Sequence, residues 1–301
     1  MLVSICIALH NSAKYIRNTL QSVQNQTYRD FECILVDDYS TDDTVNIVYE
    51  EFCKKDKRFK LFVNITDPNK PYVDAHNLSY ILAKGEYLFR MDHDDEMFPD
   101  CVEFQVKFLE EHPDIDGACV NMIRVKENDD YSLNKELDVT HTIKDPKERK
   151  LKAEAATKEC CDLFNKFNAY TFKTNLMCWY NQASCIRKSF FNTVHPRYEI
   201  FRTGDYIFWW RVLAGGAKLY KHVEPKMYYR ESDDTLCRQN DFKITPAEDC
   251  DYQILIAKYK ARAFKIRGKE VYPDGSDSYG SYRVFDNTVK YYEMLKSERN
   301  E

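Results

Sequence analysis

Apolar positions along the first 123 residues switch between two rhythms. Val3-Ser4-Ile5-Cys6-Ile7-Ala8 is a near-continuous apolar run, the pattern of a strand buried on both faces of a parallel sheet. Ile16, Leu20 and Val23 then recur at helical spacing, with Ser12 placed to cap the helix they define. The alternation repeats. A strand is predicted over Phe31 to Val36, and a helix opened by Asp42-Asp43 that carries Val45, Val48 and Phe52 on one face. Another strand runs over Phe59 to Val63, followed by a helix from Val73 to Ala83 with Gly85 as its C-terminal cap. Next come a strand over Tyr87 to Met91, a helix opened by Pro99 and running through Leu109, and a strand over Gly117 to Val125. Strand–helix alternation with short connections predicts an α/β fold, doubly wound, with a mostly parallel sheet flanked by helices.

The later chain reads differently. Residues 126–168 are highly charged, with Lys and Glu prominent, and read as a solvated helix and loop insertion. Residues 170–230 are mixed and aromatic-rich. A helix is expected from Asp205 to Leu213, ended by Gly215-Gly216, with Trp209 and Trp210 in the core. Residues 240–301 read as a helical tail, whose Tyr252, Ile254, Ile256, Ala257, Tyr259 and Ala263 would pack onto the main domain.

Composition narrows the function classes. With 301 residues, 44% apolar and 31% charged, the profile is that of a globular chain. A formal net charge of −5 offers no basic excess to grip a nucleic-acid backbone. An anionic small substrate would need a local metal ion or a helix N-terminus to offset its charge. The 11 cysteines form no C-x-x-C pair, and Cys6, Cys33 and Cys119 sit inside apolar runs. Reduced thiols in a cytoplasmic protein are therefore expected. Met1 to Leu9 lacks a basic region and a cleavage site, and no run of 18 apolar residues occurs. The expected protein is soluble, at most peripheral at the inner face of a membrane.

Ligands in doubly wound sheets sit at the carboxyl ends of the strands. Two acidic clusters fall there: Asp37-Asp38, and Asp92-His93-Asp94-Asp95. Clustered carboxylates repel, and a divalent cation would offset that cost. Mg²⁺ or Mn²⁺ suits such oxygens and commonly also binds substrate phosphates. The same residues also fit a turn with capping aspartates before Pro99, Asp95 above all. Asp37-Asp38, followed by Ser40-Thr41-Asp42, is equally two-sided. A carboxylate there can meet a nucleoside, while Ser40 and Asp42 can cap the next helix.

The order of motifs is more specific than either cluster. V-S-I-C-I-A-L-H-N opens the chain, and S-V-Q-N-Q-T-Y-R-D-F-E-C-I-L-V-D-D-Y-S-T-D-D-T follows. Then come A-x-N at Ala75 to Asn77, K-G-E-Y-L-F-R-M-D-H-D-D, and G-D-Y-I-F-W-W-R. Over about residues 1 to 230 this resembles the family 2 glycosyltransferases of the GT-A fold. The resemblance implies a nucleotide-sugar-dependent, inverting enzyme of hexosyltransferase type, using Mn²⁺ or Mg²⁺. It divides the chain into a GT-A domain over 1–235 (a nucleotide-binding half, 1–125, and an acceptor-binding half, 126–235) and a helical C-terminal extension over 236–301.

The resemblance also assigns roles. Ala8 and Asn11 would edge the nucleotide pocket, with Asn77 in the same pocket. Asp38 would recognise the base, with Asp37 supporting the loop. Asp94 would be the direct metal ligand, and Asp92 would contact ribose or the metal. Asp205 would be the general base that takes the acceptor hydroxyl's proton; read by itself it is equally a helix N-terminal aspartate. Trp179, Asn181 and Gln182 fall where acceptor-binding residues would lie. His10 and His76 read as pocket-edge or packing residues, and His93 as a residue pointing away from the metal.

Three departures from the family pattern stand out. Tyr39 replaces the usual small residue after the D-D pair. Gly204-Asp205 replaces the common E-D pair. Tyr229-Arg230-Glu231-Ser232 lacks the histidine of Y-R-x-H, which leaves Arg230 for a phosphate and puts metal coordination by this segment, Ser232 included, in doubt. The implied donor is a nucleoside diphosphate sugar, UDP-linked, and the implied acceptor a glycan or glycolipid, as in capsule, lipopolysaccharide or exopolysaccharide assembly. That last step rests on family association. Two alternatives stand beside this reading. One is a non-catalytic nucleotide-sugar or glycan-binding module, which the presence of Asp205 and the D-x-D disfavours. The other is a nucleotidyltransferase, disfavoured because His10 to Lys14 contains no glycine.

Overall fold

The computed structural model describes residues 1–64, 73–128, 133–138, 183–194, 204–231 and 246–267, with isolated positions within 158–165 and 289–297. In chain order the elements are β1 (Val3–Leu9), α1 (Ile16–Gln24), β2 (Phe31–Asp37), α2 (Thr44–Ile47) continuing as a π-helix (Val48–Cys53), β3 (Phe59–Val63) and α3 (Val73–Leu82). Then come β4 (Tyr87–Arg90), β5 (Glu96–Met97), α4 (Cys101–Glu111), β6 (Gly117–Glu127), β7 (Leu133–Asp138), β8 (Ser184–Arg187) and α5 (Lys188–Val194). The last three are α6 (Gly204–Ala214), β9 (Leu219–Glu231) and α7 (Pro246–Arg267).

The strands form one sheet in the order β3-β2-β1-β4-β8-β6-β9-β5, with β7 paired to β6. The α/β class is as expected. β3, β2, β1 and β4 run parallel, and every residue of β1 and β2 is buried, which is why those segments read as unbroken apolar runs. Beyond β4 the sheet is mixed. β8 is antiparallel to both neighbours, β6 and β9 are parallel, and β5 and β7 are antiparallel additions. Ile16, Leu20 and Val23 of α1 are fully buried in the main apolar cluster with Ile5, Ile7 and Leu35. Each such side chain contributes about 1.5–3 kcal/mol of transfer free energy.

Several local expectations give way to other contacts. Ser12 does not cap α1 through its side chain. Its Oγ accepts the His10 N–H at 3.2 Å, and its carbonyl accepts the N–H groups of Tyr15 and Ile16. Ser40 is drawn off likewise, its Oγ accepting the Asn11 N–H at 2.9 Å. Asp42 does meet the start of α2, accepting the Thr44 N–H at 3.0 Å. The widening to a π-helix turns Ile47, Val48 and Phe52 inward and leaves Val45 half-buried. Pro99 lies before α4 rather than inside its first turn, because Asp100 is the N-cap.

Gly85 is not a left-handed cap. A Cβ there would sit 2.6 Å from the Ser4 nitrogen and 2.7 Å from the Leu2 oxygen, so close backbone approach to β1 requires the glycine. Gly216, at φ +91°, is the true left-handed cap: its N–H bonds Leu213 O and that of Ala217 bonds Val212 O, closing α6 as a Schellman motif. The expected helix and loop insertion over 126–168 begins as strand, since β6 runs on to Glu127 and β7 returns antiparallel to it, while the described positions 158, 161, 162 and 165 are helical.

The chain divides into two compact units. One comprises Met1–Thr193 and Lys218–Asp233, the other Val194–Ala217 and Asp234–Glu301. In the second, the tail helix α7 packs on α6, with Arg211 over the Tyr259 ring at 5.6 Å and Lys260 over the Trp210 ring at 5.4 Å. Cys6, Cys33, Cys53, Cys101, Cys119, Cys161 and Cys185 are free thiols. No described helix is long and apolar enough to cross a membrane.

Candidate functional site

The carboxyl ends of β1, β2 and β4 lie side by side in the first unit, with Leu9 opposite Asp37 and Cys6 opposite Arg90 in the register. Ala8 is buried there in a small cluster with Ile34, Val36 and Ala75. Asn11 follows at φ +46°, a left-handed conformation that asparagine tolerates. Its Oδ1 accepts the Thr41 N–H at 2.8 Å and so ties the β1 loop to the β2 loop. His10 closes the same junction, its Nδ1 lying 2.6 Å from Asp38 O.

Asp37 and Asp38 are almost fully buried. Asp37 Oδ2 accepts the Ser40 N–H at 3.1 Å, and its Oδ1 is buried without a hydrogen-bond partner. Asp38 Oδ1 accepts from Asn64 Nδ2 at 2.9 Å. Tyr39 adopts φ +59°. A left-handed residue costs an L side chain about 1–2 kcal/mol, so only a glycine would sit here without strain. Asn77 is half-buried on α3.

The loop after β4 is gripped from three directions. Thr19 of α1 donates from Oγ1 to His93 O at 2.9 Å. Arg90, at 2% exposure, pairs its Nη2 with Asp92 Oδ1 at 2.8 Å, and His76 Nε2 lies 3.5 Å from the same nitrogen. Arg230 of β9 holds the other end. Its backbone N–H bonds Asp95 Oδ1 at 3.0 Å, its Nε bonds Asp94 O at 2.8 Å, and its Nη1 pairs with Glu127 at 3.1 Å. The guanidinium also lies over the Tyr15 ring at 4.4 Å.

One expectation is thereby corrected: Asp95 caps no helix and instead accepts the β9 backbone. Arg230 turns its guanidinium to the loop, to Glu127 and to Tyr15, with no exposed side-chain surface.

Burial raises the Asp94 carboxyl above its ordinary value, and the neighbouring Asp92 pushes the same way, against His93 and Arg230. Asp95 is pushed up further by burial, then by Asp94 and Asp92. Its Oδ2 is buried without a hydrogen-bond partner, as is His93 Nδ1. Carboxylates so placed favour an added cation. No three His, Cys, Asp or Glu side chains among the described residues are already gathered around one metal position. The donors fit a Mg²⁺ or Mn²⁺ that takes one or two carboxylates and completes its shell with waters and substrate oxygens.

Asp205 stands in the first turn of α6, in the second unit, with its side chain outside the described part. Trp179, Asn181, Gln182 and Ser232 lie outside the described residues. Sequence reasoning assigned nothing to Arg90, Tyr15, Thr19, Asn64 or Glu127. Arg90 carried a usable signal, since an arginine closing a strand of otherwise apolar residues needs a partner, and Asp92 stands two residues on. The others are polar groups at ordinary surface spacings.

Residues 4–173 match the family profile described as Glycosyl transferase family 2. An uncharacterised glycosyltransferase of Rickettsia bellii (strain RML369-C) is 36% identical over 110 residues, covering 36% of this chain and 15% of that protein. The chain thus spans well under two thirds of that relative. TarS of S. aureus, in a complex with UDP-GlcNAc, superposes with a TM-score of 0.65 at 16% identity, over 97% of this chain and 71% of that one. The mannosyltransferase PcManGT from Pyrobaculum calidifontis, with GDP-Man and Mn²⁺, gives 0.54 at 13% identity over 98% and 75%. At such identities the two solved structures speak to the fold.

Proposed function

This chain belongs to glycosyl transferase family 2, and from that premise we propose that it moves a sugar from a UDP-linked donor to a hydroxyl of a glycan or glycolipid acceptor, with inversion at the anomeric carbon. The observation that carries the reading is the carboxylate loop Asp92–Asp95, half-buried at Asp92 and Asp94 and buried at Asp95, beside the buried Asp37-Asp38 at the carboxyl edge of the parallel strands. Further support comes from what two neighbours of the same fold hold, UDP-GlcNAc in TarS and GDP-Man with Mn²⁺ in PcManGT.

In this reading Asp38 meets the uracil or ribose, with the loop that carries it braced by Asp37, Asn11 and Ala8, and Asn77 lines the same pocket. Asp94 and Asp92 hold the divalent cation. When bound, the cation supplies Lewis-acid stabilisation of the departing diphosphate. Arg90 orients Asp92, and Arg230 keeps the loop seated on β9. Asp205 takes the proton of the acceptor hydroxyl as that oxygen attacks the anomeric carbon. Trp179, Asn181 and Gln182 line the acceptor side. The setting is surface or capsular glycan assembly, with the enzyme in the cytoplasm or at the inner membrane face.

The test is a panel of nucleotide sugars scored for Mn²⁺-dependent hydrolysis and thermal stabilisation. A UDP-sugar response is expected. Silence toward every donor with metal present would refute the transferase reading. Asp205→Asn should abolish transfer and leave donor binding largely intact; full activity in that variant would remove Asp205 from the role of base.

A further inference from the structure

A groove of about 450 Å³ opens between α1, β5 and β9, apart from the carboxylates described above. Helix α1 turns Asn18, Gln21 and Asn25 toward it, one helical turn apart and close to one line. Phe98 and Tyr228 form its far wall, both half-buried, with ring centroids 4.7 Å apart and planes inclined by 46°. Glu96 brings a carboxylate at 8% exposure. The frame is braced, because Ser22 Oγ accepts the Met97 N–H at 3.1 Å and donates to Thr19 O at 2.7 Å. Main-chain pairing of Glu96 with Tyr228 fixes the other side.

We propose that this groove is a glycan-binding site for one or two neutral sugar rings of the acceptor or product chain; in naming that chain, it rests on the reading given under Proposed function. The lining decides the ligand class. Three planar carboxamides, two of them joined by a Gln21 Nε2–Asn25 Oδ1 bond of 3.2 Å, and one carboxylate offer the donors and acceptors that the hydroxyls of a pyranose require. Two ring faces offer the apolar surface that a sugar's C–H face covers. None of the residues lining the groove is a cation, so phosphate or nucleotide has nothing to bind there. A protein partner would want a larger apolar centre than a groove fringed by neutral amides supplies. The volume is that of a small-ligand pocket.

The position gives the site a use. Glu96 is two residues beyond Asp94, about 7 Å along an extended chain, and α1 also holds the carboxylate loop through Thr19. A glycan seated here is tethered beside the transfer centre, which raises its effective concentration without adding a catalytic group.

The test uses the full chain, uniformly ¹⁵N-labelled, titrated with chitotetraose, maltotetraose and mannotetraose in the absence of donor and metal. Expected are shifts of the Asn18, Gln21 and Asn25 side-chain amides by at least one of the three. The double variant Gln21→Ala, Asn25→Ala changes exposed positions and should keep the fold and donor hydrolysis while weakening that binding by about tenfold or more. Tyr228→Leu keeps bulk on β9, loses the ring, and should weaken binding comparably. No shift with any of the three oligosaccharides, or binding that the variants leave unchanged, would overturn the proposal. Retained donor hydrolysis in that event would leave the transferase reading standing. Oligosaccharide binding without any donor response would do the reverse.

Discussion

Arg230→Met isolates what the buried guanidinium does. The substitution keeps the main-chain N–H that bonds Asp95 and removes three contacts: the 2.8 Å bond to Asp94 O, the 3.1 Å pair with Glu127, and the stacking over Tyr15. A hydrogen bond to a charged group contributes about 1.5–3 kcal/mol, and a partly buried cation–π contact about 0.5–2 kcal/mol. Stranding one partner of a fully buried ion pair costs ~3–5 kcal/mol. Here the loss is smaller, because Glu127 keeps 22% of its side-chain surface in water and rehydrates. Returning the desolvation of the guanidinium offsets part of the rest. The net expectation is a destabilisation of ~2–4 kcal/mol, read from urea unfolding followed by circular dichroism. Because the same contacts seat Asp94, donor affinity in Mn²⁺ should fall as well, and a double-mutant cycle with Glu127→Gln should return a coupling of ~0.5–3 kcal/mol. A loss under about 1 kcal/mol with unchanged donor affinity would refute the idea that Arg230 holds the loop.

Other expectations follow from single contacts. Arg90→Met releases Asp92 from its 2.8 Å partner; the donor KM should rise about tenfold, equivalent to ~1.4 kcal/mol, with partial rescue by Arg90→Lys, and an unchanged KM would detach Arg90 from the site. Gly85→Ala drives a Cβ into backbone atoms of β1 and should cost about 3 kcal/mol, whereas Gly216→Ala meets nothing within 4 Å and should cost only its left-handed φ, about 1 kcal/mol; equal melting temperatures for the two would contradict this. His222 is buried among the rings of Phe104, Phe108 and Tyr220. Burial lowers its pKa from 6.5 to about 4, with His112 adding and Glu224 opposing. The unfolded chain therefore takes up this proton first, so the stability of the neutral ring is fully present above pH 6.5 and is lost as pH falls toward 4, by about 3 kcal/mol in total. His222→Phe should flatten that part of the pH–stability profile, and an unaltered slope would show that the ring is not the group responsible.

The parallel half of the fold was legible because burial on both faces leaves an unbroken apolar run, as in Val3 to Ala8 and Phe31 to Val36. The second half was harder. β5 has two residues, β7 is polar enough to pass for a solvated loop, and the alternation of β8, β6 and β9 between parallel and antiparallel leaves no local period. At the ends of elements, Ser12 and Ser40 had the chemistry of caps, yet other backbone N–H groups took their hydroxyls, that of His10 two residues back for Ser12 and that of Asn11 from the β1 loop for Ser40. Gly85 looked like a cap and was a contact. Propensity ranks what a residue can do locally, and a nearby backbone decides among those options.

The carboxylate loop divides in the same way. From residue order alone came its location after an apolar strand, its acidity, and the family whose motifs it completes, because these depend only on which side chains stand at which spacing. Which carboxylates are held, and by what, came only with the folded chain. The Asp92 carboxylate answers to Arg90 two residues away, but the Asp95 carboxylate accepts the main-chain N–H of Arg230 and the Asp94 carbonyl accepts its guanidinium, 135 and 136 positions along the chain. Groups at that separation meet only when β5, β6 and β9 pair, and no spacing rule in the sequence encodes that pairing.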